Sequence, residues 1–180
     1  TKKNFKFSRN ACISEDGLSL ISKVNGHVTL EGDKIFISDI YDVPVDVDNT
    51  TGDISYEGNI IVHGNVRAGF TLKASGDITI MGVVEGANVD AGGNVMVNRG
   101  IQGMNKAVVH AGGDITTKFV ENATVSCGGS IETDSLLHCS TSAGDKINVS
   151  GKNGLLVGGT ARAGSTVTAK QIGNNMGTVT

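Results

Sequence analysis

Proline occurs once in this chain and tryptophan not at all, and aromatic residues make up only 4%. Cysteine is held to three residues with no C-x-x-C pair. An odd, scattered cysteine set excludes a disulfide framework and suits a reducing compartment, so a cytoplasmic protein is expected. No apolar run approaches the roughly 20 residues that span a bilayer. The opening TKKNFKFSRN lacks the apolar core of a signal peptide. Because residue 1 is Thr and not Met, the sequence reads as a fragment with its true start upstream. A net charge of −3 supplies no basic footprint for nucleic acid and no polybasic patch for a membrane.

Glycine is plentiful, at 26 of 180 residues. Without proline or a three-residue period this is not collagen, and with 38% apolar residues it is not a disordered composition. A packed core of small side chains is expected, on one sizeable domain with a small appendage.

The glycines belong to a repeat. ISYEGNI, LKASGDI, VDAGGNV, VHAGGDI, VSCGGSI, TSAGDKI and ARAGSTV end at Ile60, Ile78, Val95, Ile115, Ile131, Ile147 and Val167. Their spacings are 18, 17, 20, 16, 16 and 20 residues. A second register agrees: VVEGANV (Val83–Val89) matches FVENATV (Phe119–Val125) two periods later. A period near 18 is too short for helix pairs or propeller blades. Two-residue alternation puts Leu72, Ala74 and Ile78 inward and Lys73 and Asp77 outward. Tyr56, Ala74, Ala91, Ala111, Cys127, Ala143 and Ala163 then stack at one level, and Ile60 through Val167 at another.

Stacked coils about 4.8 Å apart form a parallel β-helix. The sequence predicts about seven coils over residues 44–180, with the variable spacing absorbed as loop length at corners. A left-handed helix of strict hexads turns with the same period. The hexad-like series Gly58, Gly64, Gly76, Gly82 fails by Val95, which favours the right-handed form. Residues 1–43 alternate in another way, with turn signals at Asp16-Gly17, Asn25-Gly26 and Glu31-Gly32-Asp33. They read as a small antiparallel β module that caps the open end of the stack.

Several constellations invite a chemical reading. VDVDNTTGDISYEG has the look of a calcium loop, with Asp46 first and Glu57 twelfth. Its sixth position is Thr51 instead of Gly, and its ninth is Ile54, so it fails the pattern and lacks flanking helices. The expectation is a strand with Val45 and Val47 inward, entering the first coil. Asn59, Asp77, Asn94, Asp114 and Ser130 precede the inward Ile or Val of each coil. Asp77 and Asp114 fall two coils apart, about 10 Å, at the upper edge for a carboxylate pair. Asp and Asn are also favoured turn residues for local reasons.

His27, His63, His110 and His138 occupy unrelated repeat positions: His110 aligns with Ser126, and His138 with Asn122. They therefore stack into no metal pair. Cys127 and Cys139 replace alanines in two columns and read as small core residues, while Cys12 is uninformative. The Gly92, Gly112 and Gly128 pairs lead into strands, so they are not phosphate loops. No residue is put forward as catalytic, cofactor-binding or metal-ligating, and no cofactor is expected.

The ordered motifs from DGLSL through VDVDNTTGDISYEGNIIVHGNVRAGFTLKASGDITIMGVVEGANVDAGGNV, GIQGMNKAVVHAGGDI, LLHCSTSAG, GLLVGG and IGNNMGTVT resemble the flagellar assembly protein A family of bacterial proteins. The resemblance runs from about Asp16 to Thr180. It implies a right-handed parallel β-helix, similar in architecture to bactofilins and to the C-terminal domain of the division inhibitor MinC. It also implies a cytoplasmic protein linked to flagellar assembly or polar placement, with no catalytic residues to carry over. The expected function is a non-enzymatic scaffold or docking platform whose partners are proteins, with self-association through the helix ends as a further expectation. Lys73, Glu85, Asp90, His110 and Glu121 would line its outward faces. The competing class is a carbohydrate-active or acyl-transfer enzyme on the same architecture.

Overall fold

A computed structural model describes residues 6–7, 9–24 and 26–173. Strands follow the two-residue alternation of the repeats, and no helix occurs among the described residues. From residue 40 onward the chain winds as a parallel β-solenoid of about seven coils, in two long sheets of eight and eleven strands.

One face stacks Asn59–Val62, Ile78–Ile80, Val95–Val97, Ile115–Thr117, Ile131–Thr133, Lys146–Val149 and Thr166–Ala169. All its pairings are parallel, and they hold Ile60, Ile78, Val95, Ile115, Ile131, Ile147 and Val167 in register. The sequence column is therefore a physical one. A second face carries Val83–Glu85, Gly100–Gln102, Phe119–Glu121 and the first halves of Ser135–Ala143 and Leu155–Ala163. The third carries Thr71–Ala74, Asn88–Ala91, Val108–Ala111, Thr124–Cys127 and the second halves of the same two long strands. In the last coils one long strand thus runs across the second corner, with register from Ser135 to Leu137 and again from Cys139 to Ala143.

Inward positions are sealed. Ile60, Leu72, Val109, Ile115, Val125 and Ile147 have no exposed surface. The buried side chains from Val43 to Leu156 form one continuous core, to which each coil adds its share. Three threonines interrupt the apolar interior, and each finds a carbonyl. Thr117 and Thr133 donate to Phe119 and Ser135 at 3.4 and 3.3 Å, and Thr141 donates to Thr160 at 3.1 Å. Among the described residues no buried side-chain polar atom lacks a partner.

The Ala column holds as well. Tyr56, Ala74, Ala91, Ala111, Cys127, Ala143 and Ala163 are successive pairing partners. Tyr56 occupies it in the first coil, where its ring lies 5.3 Å from that of Tyr41.

Residues before the solenoid form two antiparallel hairpins, Ala11–Ile13 with Leu20–Ser22 and His27–Glu31 with Lys34–Ser38. Lys6–Phe7 adds to the second hairpin in parallel. Asp16-Gly17 and Gly32-Asp33 lie in the two turns, as expected. Asn25, the remaining turn signal, and residues 174–180 of IGNNMGTVT lie outside the described residues. Ile40–Val43 already pairs in parallel with Asn59–Val62 as the edge strand of the first face.

Val45 departs from expectation. Val47 is fully buried and bridges Val66, but Val45 is 53% exposed. Val43 and Val47 are the inward residues. Pro44 has no N–H to offer a ladder, and the chain bends there instead of continuing as one strand.

Candidate functional site

The candidate calcium loop resolves into two unrelated jobs. Asp46 Oδ1 accepts the Asn65 N–H at 2.8 Å, and its Oδ2 accepts from Arg67 Nη2 at 2.7 Å. Arg67 reaches on to Glu85, with Nη1 2.8 Å from Oε1. One guanidinium thus ties together three successive rungs. The Asn65 N–H, and after it Arg67, holds the Asp46 carboxyl below its ordinary pKa. Asp48 instead accepts from the Thr50 hydroxyl at 2.7 Å and the Thr50 N–H at 2.8 Å, which closes a local turn and lowers its pKa. Both carboxylates are engaged by protein donors.

The outward Asn/Asp column is a ladder of side-chain to backbone bonds. Asn59 Oδ1 accepts the Asp77 N–H at 2.8 Å, and Asp77 Oδ1 accepts the Asn94 N–H at 2.7 Å. Asn94 Oδ1 accepts the Asp114 N–H at 2.8 Å, and Asp114 Oδ1 accepts the Ser130 N–H at 2.7 Å. These side chains serve the next rung, whereas the sequence suggests purely local turns. The double glycines follow from the same geometry. A Cβ on Gly113 would fall 2.3 Å from Asn94 Oδ1, and one on Gly129 would fall 2.1 Å from Asp114 Oδ1. A Cβ on Gly112 or Gly128 would fall 2.2 or 2.3 Å from the glycine carbonyl of the rung before. The motif is a docking surface for its own neighbour. Asp77 and Asp114 are separated by the Asn94 rung of this ladder.

The histidines are dispersed, as their spacing suggests. His63 Nε2 lies 2.7 Å from Asp42 Oδ1 on an exposed face. His110 pairs with Ser126, its ring Nδ1 3.0 Å from the hydroxyl oxygen. The His27 N–H donates to the Tyr56 hydroxyl at 2.9 Å, and that hydroxyl donates to the Ser38 carbonyl at 3.1 Å. Among the described residues no three His, Cys, Asp or Glu side chains gather as a metal site.

Both Cys127 and Cys139 are buried, in register with Ala111 and Ala123 respectively. Burial pushes both thiols up from their ordinary pKa. Lys73 and Asp90, adjacent rungs of the third face, form an ion pair at 3.0 Å.

A concavity that is not among the sequence candidates lies at the corner between the second and third faces. It is a groove of about 180 Å³ lined by Asn105, Asn122, Ala123, Thr124, His138 and Ser140. Met104, Asn105, Asn122 and His138, all at this corner, have φ of 52°, 58°, 48° and 53°. Two signals point there: the 20-residue spacing of that coil, and Asn then His in a column with glycine at Gly86, Gly103 and Gly158.

Among the described residues no helix is long and apolar enough to cross a membrane. No curated protein and no solved structure matches the chain. The Flagellar Assembly Protein A beta solenoid domain matches residues 39–180, the whole of the coiled region described above. With its period, its pairing register and that match in agreement, the chain belongs to the Flagellar Assembly Protein A β-solenoid domain family.

Proposed function

We propose that this chain is a rigid, non-enzymatic scaffold that docks proteins along its faces in the bacterial cytoplasm, in a setting connected with flagellar assembly. The observation that carries this reading is the disposition of the outward side chains. They recur at rung spacing, and their polar groups engage neighbouring rungs, as in Asp46–Arg67–Glu85, Lys73–Asp90 and His110–Ser126. Such an arrangement presents a patterned, flat surface of fixed geometry, which suits binding of extended partners. The family description, which names flagellar assembly, supports the setting. The hairpins that precede residue 40 serve as a module seated over the first coil, a role supported by the Tyr56 hydroxyl bridging His27 and Ser38.

Site-specific photo-crosslinking in cells tests the reading. Crosslinkers at Lys73, Met96 and Glu132, all exposed, sample two faces. Discrete adducts with the same partners from neighbouring positions on one face are expected. Adducts spread indiscriminately over all positions, or none at any, would overturn docking. Sedimentation velocity over a wide concentration range separates two forms of the scaffold. Growth into larger species signals stacking of the solenoid ends, and a fixed mass signals a platform for other proteins.

A further inference from the structure

The corner groove is built, not incidental. Continued one residue past the paired strands, the register brings Gly86, Gly103, Asn122, His138 and Gly158 into one column. Gly86 and Gly158 hold φ of 53° and 67° there, a left-handed backbone that a Cβ disfavours. Two successive rungs nevertheless place polar side chains in that conformation. One rung earlier the coil is lengthened by Met104, Asn105 and Lys106, and the Asn105 N–H donates to the Asn122 carbonyl at 2.8 Å. This bond hangs the inserted loop against the corner as a wall. Left-handed non-glycine residues concentrated at one place are a mark of sites where strain is retained for use.

We propose that this groove binds a neutral, hydroxyl-rich ligand on the scale of a single sugar ring. Its polar lining is two carboxamides, two hydroxyls and one imidazole. Each of these groups both donates and accepts, and the ligand group that matches such a lining is a hydroxyl. A carboxylate fits less well, because Glu121 stands at the rim, its Oε1 3.4 Å from Asn122 Nδ2. An ammonium fits less well, because no carboxylate lines the groove and the one at its rim, Glu121, already accepts from Asn122. A volume of about 180 Å³ holds roughly six water molecules at about 30 Å³ each, enough for a small polyol.

The surface beside the groove continues the chemistry. Thr124, Ser140 and Thr160 form one outward column, and Ser126 and Ser142 the next. The Ser140 and Thr160 hydroxyl oxygens lie 3.4 Å apart. Three rungs therefore offer uncharged hydroxyls leading out of the groove. No aromatic residue lines it, so the apolar face of a sugar gains no ring to rest on and binding is weak. This site is independent of partner docking: either can fail without the other.

The test is a nuclear magnetic resonance titration of the intact chain with glucose, galactose, N-acetylglucosamine and myo-inositol, with acetate and methylammonium as charged comparisons. Saturable shifts of the His138 ring protons and of the Asn105 and Asn122 side-chain amides are expected with at least one polyol, half-complete in the millimolar range. Asn122→Gly and His138→Gly should each abolish the shifts of the reporters that remain. Both variants keep the corner conformation, since glycine already occupies this column in other rungs. No saturable shift with any polyol, or a stronger response to acetate or methylammonium, would overturn the proposal.

Discussion

Asp114 Oδ1 accepts the Ser130 N–H at 2.7 Å, while the Asp114 N–H is itself held by Asn94 at 2.8 Å. The carboxylate thus acts as a splice between rungs, and its charge is incidental to the bond. Asp114→Asn keeps an Oδ1 in place, as Asn59 and Asn94 do in their own rungs, and should leave the urea midpoint nearly unchanged. Asp114→Ala removes the acceptor and should lower stability by about 1 kcal/mol. Equal losses for both variants would show that charge, not geometry, holds this column.

The neighbouring glycines are predicted to be less forgiving. A Cβ on Gly129 would sit 2.1 Å from Asp114 Oδ1, so Gly129→Ala must break the splice or spread two rungs. A loss of about 2–3 kcal/mol is expected from such overpacking. Gly52 is the control, with φ of 70° and nothing within 4 Å of a built Cβ. Gly52→Ala should lose only about 1 kcal/mol, from the left-handed backbone alone. Chemical denaturation of both variants decides the order.

Alkaline pH should weaken the fold through its buried thiols. Burial raises the folded pKa of Cys127 and Cys139 above their ordinary value of 9.0, whereas unfolded thiols ionise near that value. Stability is therefore intact below about pH 9 and declines as pH rises further. The double variant Cys127→Ala, Cys139→Ala should show a flatter alkaline limb than the parent. Its loss at neutral pH should be about 1–2 kcal/mol, since Ala111 and Ala123 already occupy the same columns. Thermal melts between pH 7 and 10.5 measure the difference.

The acid limb has the opposite sign. The folded pKa of Asp46 lies below its ordinary value of 3.8. Its contribution is therefore complete above that value and is lost as pH falls through the folded one. Asp46→Asn retains an acceptor for the Asn65 N–H but abandons Arg67. It should flatten the acid limb and remove part of the salt sensitivity near neutrality, because the Arg67 pair is surface-exposed and screened. An unchanged acid limb would place the sensitivity elsewhere.

Relief of backbone strain offers a further check. His138 at φ of 53° stands where the next rung has Gly158. His138→Gly should be neutral or stabilising by up to about 1 kcal/mol, the left-handed penalty offsetting glycine's extra freedom in the unfolded chain. Destabilisation by more than that would mean the imidazole contributes packing.

Much of this architecture was legible before any coordinates. The Ala74–Ala91–Ala111–Cys127–Ala143 column could be read because each coil repeats the same inward residue after the same turn. Solenoid contacts are between sequence-equivalent positions, so alignment of the chain with itself is already a contact map. Val45 misled, because Val43, Val45 and Val47 alternate as a strand would, and alternation carries no mark of where a corner interrupts it. The Asn/Asp column was identified but assigned to local turns, since a side chain's preference for turns is the same whether its partner is its own loop or the next rung. The corner groove is only faintly marked in the sequence, for a different reason. It depends on left-handed backbone angles at Asn122 and His138, and residue type alone does not mark which Asn or His adopts such an angle.

The inserted Met104–Lys106 loop lengthens one coil, yet Ile101–Gln102 and Val108–Ala111 on either side keep register with both neighbouring rungs. The corner therefore behaves as a socket that accepts extra chain without passing a phase error to the next strand. Doubling a loop there carries an entropic cost of only about 0.6 kcal/mol. Foreign peptides grafted between Met104 and Lys106 would be displayed at a fixed height on a rod of known pitch, and a series of such grafts would turn the solenoid into a molecular ruler.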